Sequence, residues 1–126
     1  MSALAHIILA DDDVLIRKAL AQMVKAAAAQ FAIELTEAHN GEEALRIFSQ
    51  RGAKLIITDN QMPRMSGLDL TRALRARQEE VPVLLLSGDP ATEVQARMAG
   101  ATYFLNKPFK IEQLRNIIDQ ALSPGR

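Results

Sequence analysis

Asp11, Asp12 and Asp13 follow directly on the apolar run Ile7 to Ala10, and Asp59 ends a second apolar run, Leu55 to Thr58. If the two runs are neighbouring parallel strands, carboxylates from both converge at one sheet edge. Such a cluster repels itself, because like charges close together raise one another's pKa, so it calls for a divalent cation, an ammonium or both. Lys107, just past the short apolar run Tyr103 to Leu105, can supply the ammonium. Carboxylates, a hard cation and one lysine point to chemistry on a phosphoryl group.

Positioning these groups requires an alternating fold. Strand-like runs at Ala5 to Ala10, Phe31 to Glu37, Lys54 to Asp59, Val83 to Ser87 and Tyr103 to Leu105 alternate with helix-like segments. That pattern is the α/β signature. The first, third and fourth runs are nearly continuous in Ile, Leu and Val, as expected of central strands covered on both faces. In the first helix Ile16, Ala19, Leu20, Met23, Val24 and Ala27 recur at intervals of three and four, with Asp12 or Asp13 as cap. The second helix, about Glu42 to Gln50, has Asn40 and Glu43 as a capping-box-like pair and Ala44, Leu45 and Phe48 inward. The third, about Gly67 to Arg77, is capped by Ser66 with Asp69 and packs through Leu70 and Leu74.

The fourth helix is expected to open at Asp89-Pro90, stop at Gly100 and pack through a thin stripe, Val94 and Met98. The fifth is amphipathic through Ile111, Leu114, Ile117, Ile118, Ala121 and Leu122. Right-handed crossovers then predict a flavodoxin-like, doubly wound, five-stranded parallel sheet in the order 2-1-3-4-5 with five helices. Its site would lie at the carboxyl ends of the strands, the edge on which Asp11, Asp12, Asp59, Ser87 and Lys107 all fall.

With 126 residues the chain fits one domain, residues 1–122 with a tail over 123–126, and is long enough to bury about two-thirds of its unfolded surface. Fifteen Lys and Arg balance fifteen Asp and Glu, and that zero net charge argues against a non-specific nucleic-acid or membrane surface. Without cysteine there is no thiolate nucleophile, disulfide or sulfur-ligated zinc, in keeping with the cytoplasm. No apolar run approaches the roughly 18 residues of a membrane span. His6 and His39 are expected at the surface, away from the site edge.

At this point the chain resembles a response regulator receiver domain, the phosphoacceptor module of two-component signalling. The resemblance rests on Leu9-Ala10-Asp11-Asp12-Asp13, on Thr58-Asp59 with Met62-Pro63 and Gly67, on Ser87-Gly88, and on Lys107-Pro108-Phe109. It implies that Asp59 is the phosphoacceptor and that Lys107 pairs with it and then with a phosphoryl oxygen. It also implies Mg²⁺, with Mn²⁺ as a substitute, held by Asp12 and Asp59 directly, by Asp11 chiefly through water, and by the backbone carbonyl of Gln61. Ser87 would be the switch hydroxyl and Phe104 the aromatic that follows it. Gln61 and Asp89 would tune hydrolysis by admitting or excluding water. A cis Lys107–Pro108 bond is implied as well.

Each residue also has a plainer reading. Asp12 and Asp13 can simply cap a helix, Ser87 can be a turn residue, Phe104 can be core, and Asp89 can cap the fourth helix. Tyr103, by strand alternation, should face away from Phe104. The expected function is phosphorelay: transfer from a histidine kinase or histidine phosphotransfer protein onto Asp59, with the surface of the fourth helix, fifth strand and fifth helix switching toward a separate, unidentified output protein. The unit would be a monomer or a phosphorylation-dependent dimer, a signalling domain rather than a conventional enzyme. The competitors are a domain excised from a larger regulator or hybrid kinase, and a pseudo-receiver that needs no phosphorylation. A flavin-type cofactor binder is disfavoured because three aspartates would repel its phosphate, and an aspartyl phosphatase because Gln61 stands where a second acid is usual.

Overall fold

In the computed structural model, which describes residues 4–124, the strands are β1 (Ala5–Ala10), β2 (Ile33–Ala38), β3 (Leu55–Asp59), β4 (Val83–Ser87) and β5 (Tyr103–Asn106). The helices between and after them are α1 (Val14–Ala27), α2 (Gly41–Arg51), α3 (Gly67–Ala76), α4 (Thr92–Ala99) and α5 (Ile111–Leu122). All strands pair in parallel, in the order β2-β1-β3-β4-β5. The fold is therefore the flavodoxin-like arrangement the alternation predicts. The strand order reverses between β1 and β3, where open α/β sheets place their sites.

Alternation along each strand divides the core. Ile7, Leu9, Leu55, Ile57, Leu84, Leu86 and Leu105 meet α1 and α5 on one face. Ile8, Ala10, Ile56 and Val83 meet α2 and α3 on the other, and Leu85 meets Leu68 of α3 with Ala96 and Ala99 of α4. β1, β3 and β4 are almost completely covered, which is why they are unbroken in branched apolar residues.

Several boundaries and faces differ from the expectation. β2 starts at Ile33, because the Phe31 N–H turns back to the Ala28 carbonyl (2.8 Å) and closes a turn after α1. The apolar stripe of α1 is buried only from Leu20 onward, through Ala21, Val24 and Ala27. Ile16 and Ala19 are exposed, since the first turns stand at the carboxyl edge of the sheet, beside the cleft described below. In α2, Asn40 accepts the Glu43 N–H (2.7 Å), but the Glu43 carboxylate accepts from His39 N (2.7 Å), so the box is displaced by one residue.

The fourth helix departs furthest. Asp89 to Ala91 form a turn in which the Asp89 carboxylate accepts the Ala91 N–H (2.9 Å), so the helix opens at Thr92. Its buried face is Thr92, Ala96 and Ala99, while Val94 and Met98 are 66% and 83% exposed. Both sets have helical spacing, and the small residues pack because they let the helix approach Leu68 and Leu85.

His6 is also not a surface residue. It is half-buried, with its ring nitrogens 2.8 Å from the Gly52 carbonyl and 2.7 Å from the Thr36 hydroxyl. His39 is exposed as expected, but it follows β2 at the same sheet edge as the cleft, where its Nδ1 lies 2.6 Å from Glu43. Of the expected tail, Ser123 donates its N–H to the Asp119 carbonyl (3.0 Å) and Pro124 is exposed. Gly125 and Arg126, like Met1 to Ala3, lie outside the described residues. No helix among the described residues is long and apolar enough to cross a membrane.

Candidate phosphoryl site

Pairing of β1 with β3 runs to Ala10 opposite Thr58, so the next residues, Asp11 and Asp59, emerge side by side at the carboxyl edge. They are 3% and 6% exposed, an unusual degree of burial for carboxylates. Lys107, arriving from the loop after β5, forms an ion pair with Asp59 Oδ1. The Gln61 N–H donates to the other oxygen, Oδ2, at 2.9 Å. An open cleft of about 690 Å³ lies above them, lined chiefly by Asp11, Asp12, Asp13, Asp59, Gln61 and Lys107.

The electrostatics of the cluster centre on Asp11. Burial pushes its carboxyl above the ordinary aspartate value, and the charges of Asp59 and Asp12 push the same way; the Asp13 N–H bond (2.9 Å) and the charge of Lys107 pull against them. Asp13 is the residue that caps α1, its Oδ1 accepting the Ile16 N–H at 3.0 Å. Asp12 is thereby left without a capping bond, exposed at the cleft.

The loop after β3 forms the second wall. Asn60 holds the start of α3 twice, its carbonyl accepting the Gly67 N–H (3.0 Å) and its side chain accepting the Leu68 N–H (3.1 Å). Gly67 is required by close approach, because a Cβ there would lie 2.6 Å from the Asp59 carbonyl oxygen. Ser66 and Asp69 complete a reciprocal capping box. On the third wall, the Lys107 N–H donates to the Ser87 carbonyl (2.8 Å), and the Lys107–Pro108 bond is cis.

Not every residue singled out in the sequence faces the cleft. Ser87 ends β4 and is buried, but its hydroxyl is engaged with the Asp89 backbone N–H (3.0 Å) and the Thr92 hydroxyl (3.0 Å). Asp89 is exposed and turned to the Ala91 N–H. Phe104 is half-buried against Leu68, Leu85, Ala96 and Ala99, whereas Tyr103 packs on the opposite face, as alternation requires.

Four contributors escaped the sequence reading. They are Asn60, the Thr92 partner of Ser87, Asn106, whose amide donates to the Ser87 carbonyl (2.9 Å), and Arg17, which donates to the Asp11 carbonyl (2.7 Å). Only Asn60 carried a signal, as a residue of the helix-capping type directly after Asp59.

Among the described residues no three His, Cys, Asp or Glu side chains are drawn into a ready-made cation cage. The donor set nevertheless suits Mg²⁺. It offers only hard oxygens, two carboxylates buried at one edge and a third exposed, and Mg²⁺ uses one or two carboxylates and keeps several waters.

Comparison with known proteins converges on one family. The family profile described as the response regulator receiver domain matches residues 7–119. Regulatory protein AtoC of Escherichia coli is 30% identical over 97% of this chain, a stretch that is 26% of the AtoC sequence. Response regulator MprA of Mycobacterium ulcerans is 34% identical over 86% of this chain and 46% of its own length. The chain thus spans between about a quarter and about half of these curated relatives. Among solved structures, Vibrio cholerae chemotaxis protein CheY4 superposes with a TM-score of 0.81 at 29% identity, covering 95% of this chain and all of that one. The signal receiver domain of NarL from Mycobacterium tuberculosis gives 0.83 at 26% identity, covering 99% of this chain and all of that one.

Proposed function

The chain belongs to the response regulator receiver domain family, and from that premise we propose that it takes a phosphoryl group from a phosphohistidine donor onto Asp59. The observation that carries this reading is the Lys107–Asp59 pair beside the buried carboxyl of Asp11 in an open cleft. In the transfer, an Asp59 oxygen forms a bond to phosphorus while the phosphorus–nitrogen bond of the donor breaks. The donor imidazole keeps that electron pair, and the product is an acyl phosphate on Asp59. Lys107 follows the charge from the carboxylate to a phosphoryl oxygen, a task suited to a compact ammonium.

Mg²⁺, or Mn²⁺ in its place, would be held by Asp12, Asp59, the Gln61 backbone carbonyl and, chiefly through water, Asp11, and when bound would neutralise the phosphoryl oxygens. The Gln61 N–H and Lys107 hold the Asp59 carboxylate by one oxygen each, which restricts its rotation before transfer. Gln61, which lines the cleft, would tune the access of water to the acyl phosphate, and Asp89, held on the Ala91 N–H outside the cleft lining, would do so only on turning inward.

A phosphoryl group adds about 1.5 to 2 negative charges. In our reading this draws the Ser87 hydroxyl toward the site, lets Phe104 follow, and shifts the surface of α4, β5 and α5 to change partner affinity. The donor is a histidine kinase or histidine phosphotransfer protein, the setting is cytoplasmic, and the unit is a monomer or dimerises on phosphorylation. The greater length of the relatives favours a second reading of context, in which residues 1–122 act as the receiver part of a larger regulator or hybrid kinase.

Incubation with acetyl phosphate and Mg²⁺ should add one phosphoryl group by intact mass, and Asp59→Asn should abolish the gain. Unchanged labelling in that variant would remove Asp59 from the mechanism.

A further inference from the structure

Ser87 and Thr92 are 4% and 7% exposed, and their hydroxyl oxygens lie 3.0 Å apart. The Ser87 hydroxyl already accepts the Asp89 N–H at 3.0 Å, and it has a single proton to give, so Thr92 and the Asp89 carbonyl at 3.3 Å compete for it. Its polar partners therefore lie on Asp89, in the turn leading into α4, and on Thr92, the first residue of that helix.

The two ends of α4 are held differently. At its carboxyl end Gly100 adopts a left-handed conformation (φ 100°), and its carbonyl accepts from Arg75 Nε of α3 at 3.0 Å. Arg75 also donates to the Glu79 carbonyl (2.7 Å), so this end is clasped by a guanidinium anchored elsewhere. At the amino end α4 has no side-chain cap; Thr92 is its one buried polar side chain and meets the hydroxyl on which the switch would depend.

We propose that Thr92 is a positioning residue for the switch, a latch that holds the Ser87 hydroxyl turned away from Asp59 until the phosphoryl group competes for it. The inference rests on the phosphoacceptor reading above. Breaking the Ser87–Thr92 bond frees the first turn of α4 while Arg75 keeps its last turn in place, so the helix swings about a fixed carboxyl end.

The test uses beryllofluoride with Mg²⁺ as the phosphoryl mimic, followed by amide chemical shifts in the whole chain. Thr92→Val keeps the side-chain shape and removes the hydroxyl. It should lower the half-saturating beryllofluoride concentration about three- to tenfold, the worth of one neutral hydrogen bond. Thr92→Ser should stay near the parent, and in a Ser87→Ala background Thr92→Val should have no further effect. In the parent, beryllofluoride should speed hydrogen exchange at the amides of residues 93–96, near the start of α4, and leave the Gly100 amide unchanged, a readout that needs no variant to fold.

An unchanged or higher beryllofluoride requirement in Thr92→Val, an effect that persists without Ser87, or unaltered exchange would overturn the latch. Absence of any response in the parent, or a response that survives Asp59→Asn, would instead strike down the phosphoacceptor reading and the latch with it.

Discussion

α3 and α4 lie on the same face of the sheet, one after the other in the chain, yet they are attached to it in opposite ways. α3 enters through a complete Ser66–Asp69 capping box, is tied to the end of β3 by Asn60, and buries Leu68, Leu70, Thr71 and Leu74. α4 has no side-chain cap, buries only Thr92, Ala96 and Ala99, and turns Val94 and Met98 outward. The first carries the β3 wall of the cleft, where displacement would disturb Asp59; the second contributes no residue to the cleft lining. Elements with few buried contacts open at low free energy, and the switching proposed above would draw on one.

The contrast is most sharply tested by large apolar residues. Leu74→Ala, at a fully buried site in α3, should cost about 2 to 5 kcal/mol. Met98→Ser in α4 should stay within about 0.5 kcal/mol. Urea denaturation of the two variants measures both, and similar costs would mean that α4 is as firmly docked as its neighbour.

A smaller effect separates the helix starts. Ser66→Ala removes the acceptor for the Asp69 N–H (3.1 Å) and should cost about 1 kcal/mol of unfolding free energy, together with faster exchange at the first amides of α3. A loss confined to noise would show that Asn60 alone holds that end.

A further small effect concerns charge. Arg17 and Lys18 of α1 reach across to Glu37 of β2 at 2.9 and 3.1 Å, whereas the Arg97–Glu93 pair of α4 lies within one helix. Burial raises the Glu37 carboxyl, but the hydrogen bonds from Arg17 and Lys18 outweigh it and hold the group below its ordinary value. A carboxyl lowered by folding adds stability above its ordinary unfolded pKa and loses it as pH falls through the lower folded value. Glu37→Gln should therefore destabilise at neutral pH by less than about 1 kcal/mol, with the difference vanishing in acid. Thermal unfolding of both proteins across that range checks the sign, and a penalty that grows in acid would refute it.

The sheet and its order were legible because continuous apolar runs ending in Asp11, Asp59 and Ser87 leave little choice of register. The cleft was legible for the same reason, since a residue directly after a strand has its position fixed by that strand. What failed was packing on helices with two competing faces. In α4 the sequence offers Val94 and Met98 against Thr92, Ala96 and Ala99, and size favours the first pair while closeness of approach favours the second. His6 carries no burial signal in the sequence because its partners, Gly52 and Thr36, are brought to it only by the β1–β2 pairing and the end of α2. Thr92 was silent for a similar reason: a threonine opening a helix has no letter that announces a second hydroxyl folded against it.

The missing side chain at Gly67 has an effect beyond fit. Its Cα faces the carbonyl of the very residue proposed to carry the phosphoryl group, at a spacing that any carbon substituent would violate. The seating of α3 against the end of β3 is thus dictated by an atom that is not there. A side chain at this position would meet the Asp59 carbonyl and the Asn60 backbone at once, so the end of β3 and the start of α3 could not both keep their places.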